Sequence, residues 1–164
     1  MAQNAEILEE KLKRALSSGA PVHASAVALE GNGLLILGAS GSGKSGLALQ
    51  LLALGAGLVA DDGVLLESGE AGEAGITLRC PPPISGLIEA RGLGLVPVPA
   101  VTEARLCLIV DLDAPSPARL PAPQAIPLLG HSVPLLPKVD AAHFPAALML
   151  ALRAGGVLTE ERSQ

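Results

Sequence analysis

The sequence predicts one α/β domain in which a mixed sheet carries a phosphate-binding loop. Three observations support this. Residues Gly38, Ala39, Ser40, Gly41, Ser42, Gly43, Lys44 and Ser45 spell G-x-x-x-x-G-K-S. An apolar run, Leu34–Leu37, precedes the loop, and a helical pattern, Leu47–Leu52, follows it, which is the strand–loop–helix context the motif needs. The remaining chain holds many short strand-like runs against two or three helices without regular alternation, so a mixed sheet is expected rather than a doubly wound one.

The elements follow from spacing. Ile7, Leu8, Leu12 and Leu16 recur at helical intervals among charges, predicting an amphipathic N-terminal helix within residues 1–20. Ser18-Gly19-Ala20-Pro21 ends it. Val22–Glu30 alternates as a strand, and Gly31-Asn32-Gly33 turns it into the run 34–37 as a hairpin. The helix after the loop runs to about Leu54 and stops at Gly55-Ala56-Gly57. Short strands are expected at 58–60, 64–67 and 76–79, with a Gly/Glu loop at 69–75 and a rigid linker at 81–83. Leu106–Val110 is continuously apolar, as a central strand is. The Pro-rich stretch 114–127 predicts loop with at most a short edge strand. Residues 141–153 are helical, capped by Gly155-Gly156, and the polar tail 156–164 is expected to fray. The catalytic domain is thus expected to span 21–155.

Composition narrows the function. The chain has 164 residues, enough for one domain with a real core. No apolar stretch is long enough for a transmembrane helix. Residues 1–16 carry Glu6, Glu9, Glu10, Lys11, Lys13 and Arg14 and do not look like a signal peptide. A cytoplasmic location without membrane contact is expected. The net charge of −5 argues against nucleic acid as a partner. Cys80 and Cys107 are isolated and have no metal-ligand spacing. There is no Trp or Tyr, and Phe144 is the only aromatic residue. A nucleobase would therefore be held by aliphatic or backbone groups, and loosely.

The loop's chemistry is legible from its residues. Glycines let backbone N–H groups curl around phosphate oxygens, and the following helix N-terminus adds partial positive charge. Lys44 would reach the β/γ-phosphates, and Ser45 would ligate Mg²⁺. The metal carboxylate has two candidate positions. Asp61-Asp62 closes the strand after the loop helix, and pleating would turn one toward a metal and the other toward an acceptor hydroxyl. Asp111 ends the apolar strand 106–110, with Asp113 equally close. The two positions predict different enzymes.

His23, the phosphate loop, Leu58-Val59-Ala60-Asp61-Asp62 and Leu87-Ile88-Glu89-Ala90-Arg91-Gly92-Leu93-Gly94 together resemble bacterial HPr kinase/phosphorylase, over about residues 22–112. That family's catalytic domain is related to phosphoenolpyruvate carboxykinase. The resemblance implies ATP- and Mg²⁺-dependent phosphorylation of a serine on the phosphocarrier protein HPr or an HPr-like carrier, with reverse phosphorolysis in many members. It implies that Lys44 and the loop hold the phosphates, that Ser45 and Glu89 bind Mg²⁺ beside Asp61, and that Asp62 takes the serine proton. His23 matches the family's active-site histidine, Arg91 a segment linked to both activities, and Arg119 an arginine in an R-L-G context. A homo-oligomer is also expected.

The chain departs from the pattern in three places. Gly46 stands where the family usually has Glu. About 20 residues precede His23, as in the short form. The Arg-rich C-terminal segment linked to dephosphorylation is not recognisable, and Lys138 stands near its place. The kinase direction is therefore the one expected. Docking of the carrier is expected on residues 89–95 and on helix 141–153, through His143 and Phe144. Two other readings remain at this point. One is a P-loop NTPase or small-molecule kinase that uses Asp111. The other is a nucleotide-sensing module that passes its state to a sensor kinase.

Overall fold

The computed structural model describes residues 2–69, 75–82, 86–115, 119 and 122–156. Among them, helix α1 (Ala2–Ser18) leads into β1 (Ala24–Leu29) and β2 (Asn32–Leu37). Helix α2 (Lys44–Ala53) follows the phosphate loop. Then come β3 (Gly57–Ala60), β4 (Leu65–Ser68), β5 (Ile76–Arg79), β6 (Leu87–Ala90), β7 (Gly94–Pro97) and β8 (Glu103–Pro115). Strands β9 (Gln124–Leu128) and β10 (His131–Lys138) precede helix α3 (Phe144–Arg153).

The main sheet runs β3-β1-β2-β8-β10-β9, with the β4–β5 hairpin attached to β8. β2, β8 and β10 are parallel, whereas β1, β3 and β9 are antiparallel to their neighbours. Strand β8 is the spine. One edge pairs with β2, and the other pairs first with β5 at residues 103–105 and then with β10 from Ile109. β6 and β7 form a separate two-stranded ribbon.

The alternation of β2 divides the core. Leu35 and Leu37 face α1, together with Leu8 and Leu12. Leu34 and Ile36 face α2 and α3, with Leu47, Leu51, Leu148 and Leu152. The sheet is therefore covered on both faces, and its central strands are apolar on both sides. Full burial of each such leucine contributes roughly 1.5–3 kcal/mol. An extra residue, Cys107, sits where β8 shifts register between the Gly33↔Leu106 and Leu34↔Leu108 pairs. That bulge is why Leu106 and Leu108, two positions apart, join opposite cores.

Several expectations change. The central strand is longer than its apolar stretch and reaches into the Pro-rich segment. β9 is the short edge strand allowed there. β10 has no counterpart in the sequence reading, because Pro134 and Pro137 disguise it. Pro137 pairs with Asp111 next to a register shift, at the end of the regular ladder. Helix α3 starts at Phe144 rather than 141, and Phe144 is buried in the core instead of offered to a partner. Pro83, most of the loop 69–75 and the tail beyond Gly156 lie outside the described residues. Among the described residues no helix is long and apolar enough to cross a membrane.

Candidate active site

The phosphate loop leaves β2 at Leu37 and enters α2 through Gly43. Gly41 (φ 79°) and Gly43 (φ 103°) take left-handed backbone conformations, which only glycine adopts without strain. A Cβ on either would meet nothing within 4 Å, so the loop leaves its concave space open. No side chain caps α2. Its first-turn amides therefore remain available as donors for an anion.

Lys44 is folded back and buried. Its Nζ lies 2.9 Å from Gly38 O, 3.0 Å from Ala39 O and 3.3 Å from His23 Nε2. These three acceptors use all three ammonium protons. The arrangement fixes the histidine tautomer: Nε2 must accept from Lys44, so Nδ1 carries the proton. That Nδ1–H faces Asp62 Oδ1 at 3.2 Å. A polar chain thus runs from Lys44 through His23 to Asp62.

Local backbone pairing holds this chain in place. Val22 and Val64 exchange N–H···O bonds of 2.8 and 2.9 Å. The bridge pins the lead into β1, which carries His23, against the segment just after Asp62. Asp62 itself has φ 61°, a conformation that Asp tolerates better than most residues and that recurs at functional sites.

The two adjacent aspartates diverge, but not by pleating: both lie past the end of β3, and Asp62 takes a left-handed backbone conformation. Asp62 is 77% exposed and points to the open cleft. Asp61 turns inward, where its Oδ1 accepts from Ser25 Oγ at 2.6 Å and from Ser45 Oγ at 2.8 Å. Ser25 is fully buried on β1. It was missed in the sequence, although a lone hydroxyl in the apolar run Ala24–Leu29 must find a partner once buried.

The β6–β7 ribbon closes the other wall. Leu58 N–H donates to Pro99 O (2.8 Å), and Val101 N–H donates to Leu58 O (2.9 Å). These bonds dock the end of the ribbon on β3. Ile88 anchors it in the core beneath α2, while Glu89 and Arg91 face outward. A cleft of about 490 Å³ results, lined by His23, Lys44, Ser45, Asp61, Asp62, Glu89 and Arg91 as well as the loop. Arg119 is exposed and is not among its lining residues.

Asp111 has a different environment. It is 2% exposed. Oδ2 accepts from Asn4 Nδ2 at 2.6 Å, and Oδ1 accepts from Asp113 N–H at 3.0 Å. Asp113 Oδ2 in turn accepts from Ala39 N–H at 2.8 Å. Asp111 therefore braces the phosphate loop from α1 and does not face the cleft, which removes the ground for giving it the metal. Neither Asn4 nor this brace was visible in the sequence.

Residues 14–107 match the family profile of the HPr Serine kinase C-terminal domain. The chain belongs to this family. It is 39% identical over 118 residues to HPr kinase/phosphorylase of Bordetella petrii, a match covering 68% of this chain and 38% of that protein. The HPr kinase/phosphorylase of Burkholderia lata is 38% identical over 108 residues, 62% of this chain and 33% of the relative. The chain thus spans well under half the length of these curated relatives. The Hpr(Ser) kinase/phosphatase from Coxiella burnetii superposes with a TM-score of 0.64 at 25% identity, covering 82% of this chain and 88% of that one. The mixed α/β architecture is thus shared with a member of the HPr kinase family.

Proposed function

We propose that this chain is an ATP- and Mg²⁺-dependent kinase that phosphorylates a serine of HPr or an HPr-like phosphocarrier, within phosphotransferase-system signalling. The observation that carries the reading is the split of the aspartate pair across one cleft: Asp61 bonds Ser45, and Asp62 bonds His23 at the open face. The names of the relatives support the acceptor class.

The donor set fits a hard cation. Ser45 and Asp61 are adjacent oxygen ligands, and Glu89 lines the same cleft. Magnesium needs only one or two carboxylates beside phosphate oxygens and water. When bound, Mg²⁺ would neutralise charge on the phosphate oxygens.

The chain's own groups supply the rest. The amides of the loop and of the first turn of α2 cradle the phosphates. Lys44 exchanges one of its loop carbonyls for a phosphate oxygen. Asp62 accepts the proton of the acceptor serine as that oxygen bonds to the γ-phosphorus and the bond to the ADP oxygen breaks. His23 donates to Asp62 and keeps its carboxylate turned toward the acceptor. Arg91, at the cleft rim, is placed to fork onto a phosphoryl group. In phosphorolysis, inorganic phosphate held by the loop would attack the phosphoserine phosphorus to form pyrophosphate, and Asp62 would return the proton to the released serine oxygen.

The test is transfer of γ-labelled phosphate to carrier protein. The account predicts label on the regulatory serine, lost when that serine is changed to Ala. Asp62→Asn should lower the rate by roughly 10²–10⁴-fold with ATP binding retained. Absence of label in the unmodified chain, with ATP still bound, contradicts the kinase assignment and favours the nucleotide-sensing reading.

A further inference from the structure

The partner of Asp61 is decided by the register between β3 and β1. Ala28 pairs with Gly57 and Val27 with Leu58, but Ala26 pairs with Ala60. Val59 is therefore an extra residue on β3, a bulge of the kind that re-aims side chains beside functional sites. The cores show the same break: Val59 and Ala60 are consecutive yet join one core, while Leu58 joins the other. Continued past the end of β3, a regular antiparallel ladder would bring Asp61 opposite Ala24, which offers only a methyl group. The bulge advances the chain by one residue and brings Asp61 opposite Ser25 instead. The 2.6 Å bond from Ser25 Oγ to Asp61 Oδ1 is the result.

Two hydroxyls meet on that one carboxylate oxygen, and they differ in what else they can do. Ser45 is half-buried and lines the cleft. Its oxygen can turn a lone pair to a cation while its proton stays on Asp61. Ser25 has no such freedom. It is wholly buried, as are Ala24, Ala26 and Val27 beside it in the chain, and it is not among the residues that line the cleft. A buried hydroxyl has one proton to give and keeps its partner. Ser25 therefore holds Asp61 whether or not a ligand fills the cleft. Both bonds fall on Oδ1, which leaves Oδ2 as the oxygen to offer a cation.

A carboxylate fixed in this way suits one cation better than another. Mg²⁺ demands near-ideal octahedral geometry, whereas Ca²⁺ accepts flexible coordination by more oxygens. The groups behind a metal ligand set its orientation, and loss of one typically costs about 10–100-fold in metal affinity.

We infer that Ser25 is a positioning residue: it locks the Asp61 carboxylate in one orientation, and this lock makes the cleft prefer Mg²⁺ to Ca²⁺ as the cation bound with ATP. The inference rests on the metal reading of Asp61 above and names the residue that makes that carboxylate rigid.

Calorimetric titration of the full chain with ATP, without metal, with Mg²⁺ and with Ca²⁺, tests it. In the unmodified chain Mg²⁺ should tighten ATP binding more than Ca²⁺ does. Ser25→Ala should leave ATP affinity without metal unchanged and cut the Mg²⁺ gain about tenfold. The Ca²⁺ gain should fall much less, so the preference between the two cations narrows. Ser25→Cys keeps the size of the side chain and replaces a strong donor by a weak one, and it should shift the preference in the same direction. A merely structural serine would not change the choice of cation. An undiminished Mg²⁺ gain in both variants, equal losses of the Mg²⁺ and Ca²⁺ gains, or a matching loss of ATP affinity without metal would overturn the inference. Failure of the underlying readings looks different. No Mg²⁺ gain in the unmodified chain would overturn the metal reading and this inference with it. A Mg²⁺ gain that depends on Ser25, in a chain that labels no carrier serine, would overturn the kinase reading and uphold the role of Ser25.

Discussion

Asp61 and Asp111 each follow a short apolar strand run, 58–60 and 106–110, and both lie close to the phosphate loop. The sequence offers each as a metal carboxylate. Their surroundings separate them. Asp61 accepts from two hydroxyls, one of them on the residue after the loop lysine, and it lines the open cleft. Asp111 is sealed by an α1 side chain and a backbone amide, and it acts on the loop only through Asp113. One carboxylate can hold a ligand, whereas the other holds the loop. The apolar strand before an aspartate does not decide its role; what the sheet neighbour and the covering helix bring to it does.

Of the two compared carboxylates, the larger effect on catalysis should fall on Asp61. Asp61→Asn keeps the shape and removes the charge, and carrier phosphorylation should drop about a hundredfold or more. Rates at saturating Mg²⁺ and ATP would show it, and a rate within a few fold of the unmodified chain would erase the contrast with Asp111. Asn4→Ala should act on stability instead. It leaves Asp111 buried without its side-chain donor, at about 1–3 kcal/mol, seen as a lower midpoint in urea with little change in transfer rate per folded molecule. A large loss of rate without loss of stability would mean that α1 contributes to the chemistry.

How much of this was legible depends on what each residue signals locally. The phosphate loop was, because a lysine, a hydroxyl and fixed glycines must follow one another in one turn. The aspartate pair was legible as a candidate, but not the cause of its split, which is the left-handed turn at Asp62 past the end of β3 rather than strand pleating. The hairpin of β1 and β2 was legible, but its turn is Glu30-Gly31, and Asn32 and Gly33 of the expected turn already pair within β2. β10 was not legible, because its two prolines resemble loop and only the parallel partner β8 makes the segment a strand. The brace was equally invisible: Asn4 and Asp111 are 107 positions apart, and neither signals the other. Phe144 was misread as a docking residue because helical spacing alone does not say which face packs on α2 and the sheet.

The smallest effect concerns the buried thiol. Burial pushes the Cys107 thiol above its ordinary value, and nearby Arg105 opposes that only in part. The folded state then holds this proton more tightly than the unfolded chain does. Its stabilising contribution is complete below the unfolded thiol pKa and is lost as the pH rises through the raised folded value. Cys107→Ala should flatten the alkaline limb of stability against pH slightly, and an unchanged limb would show that the thiol does not contribute.

The most direct test of the contrast is the Mg²⁺ dependence of ATP affinity in the unmodified chain, in Asp61→Asn and in Asp111→Asn. The account predicts that added Mg²⁺ tightens ATP binding in the unmodified chain and in Asp111→Asn, and that Asp61→Asn loses most of this gain while still binding ATP without metal. Retention of the Mg²⁺ gain by Asp61→Asn together with its loss in Asp111→Asn would contradict the account and return the metal to Asp111 on β8.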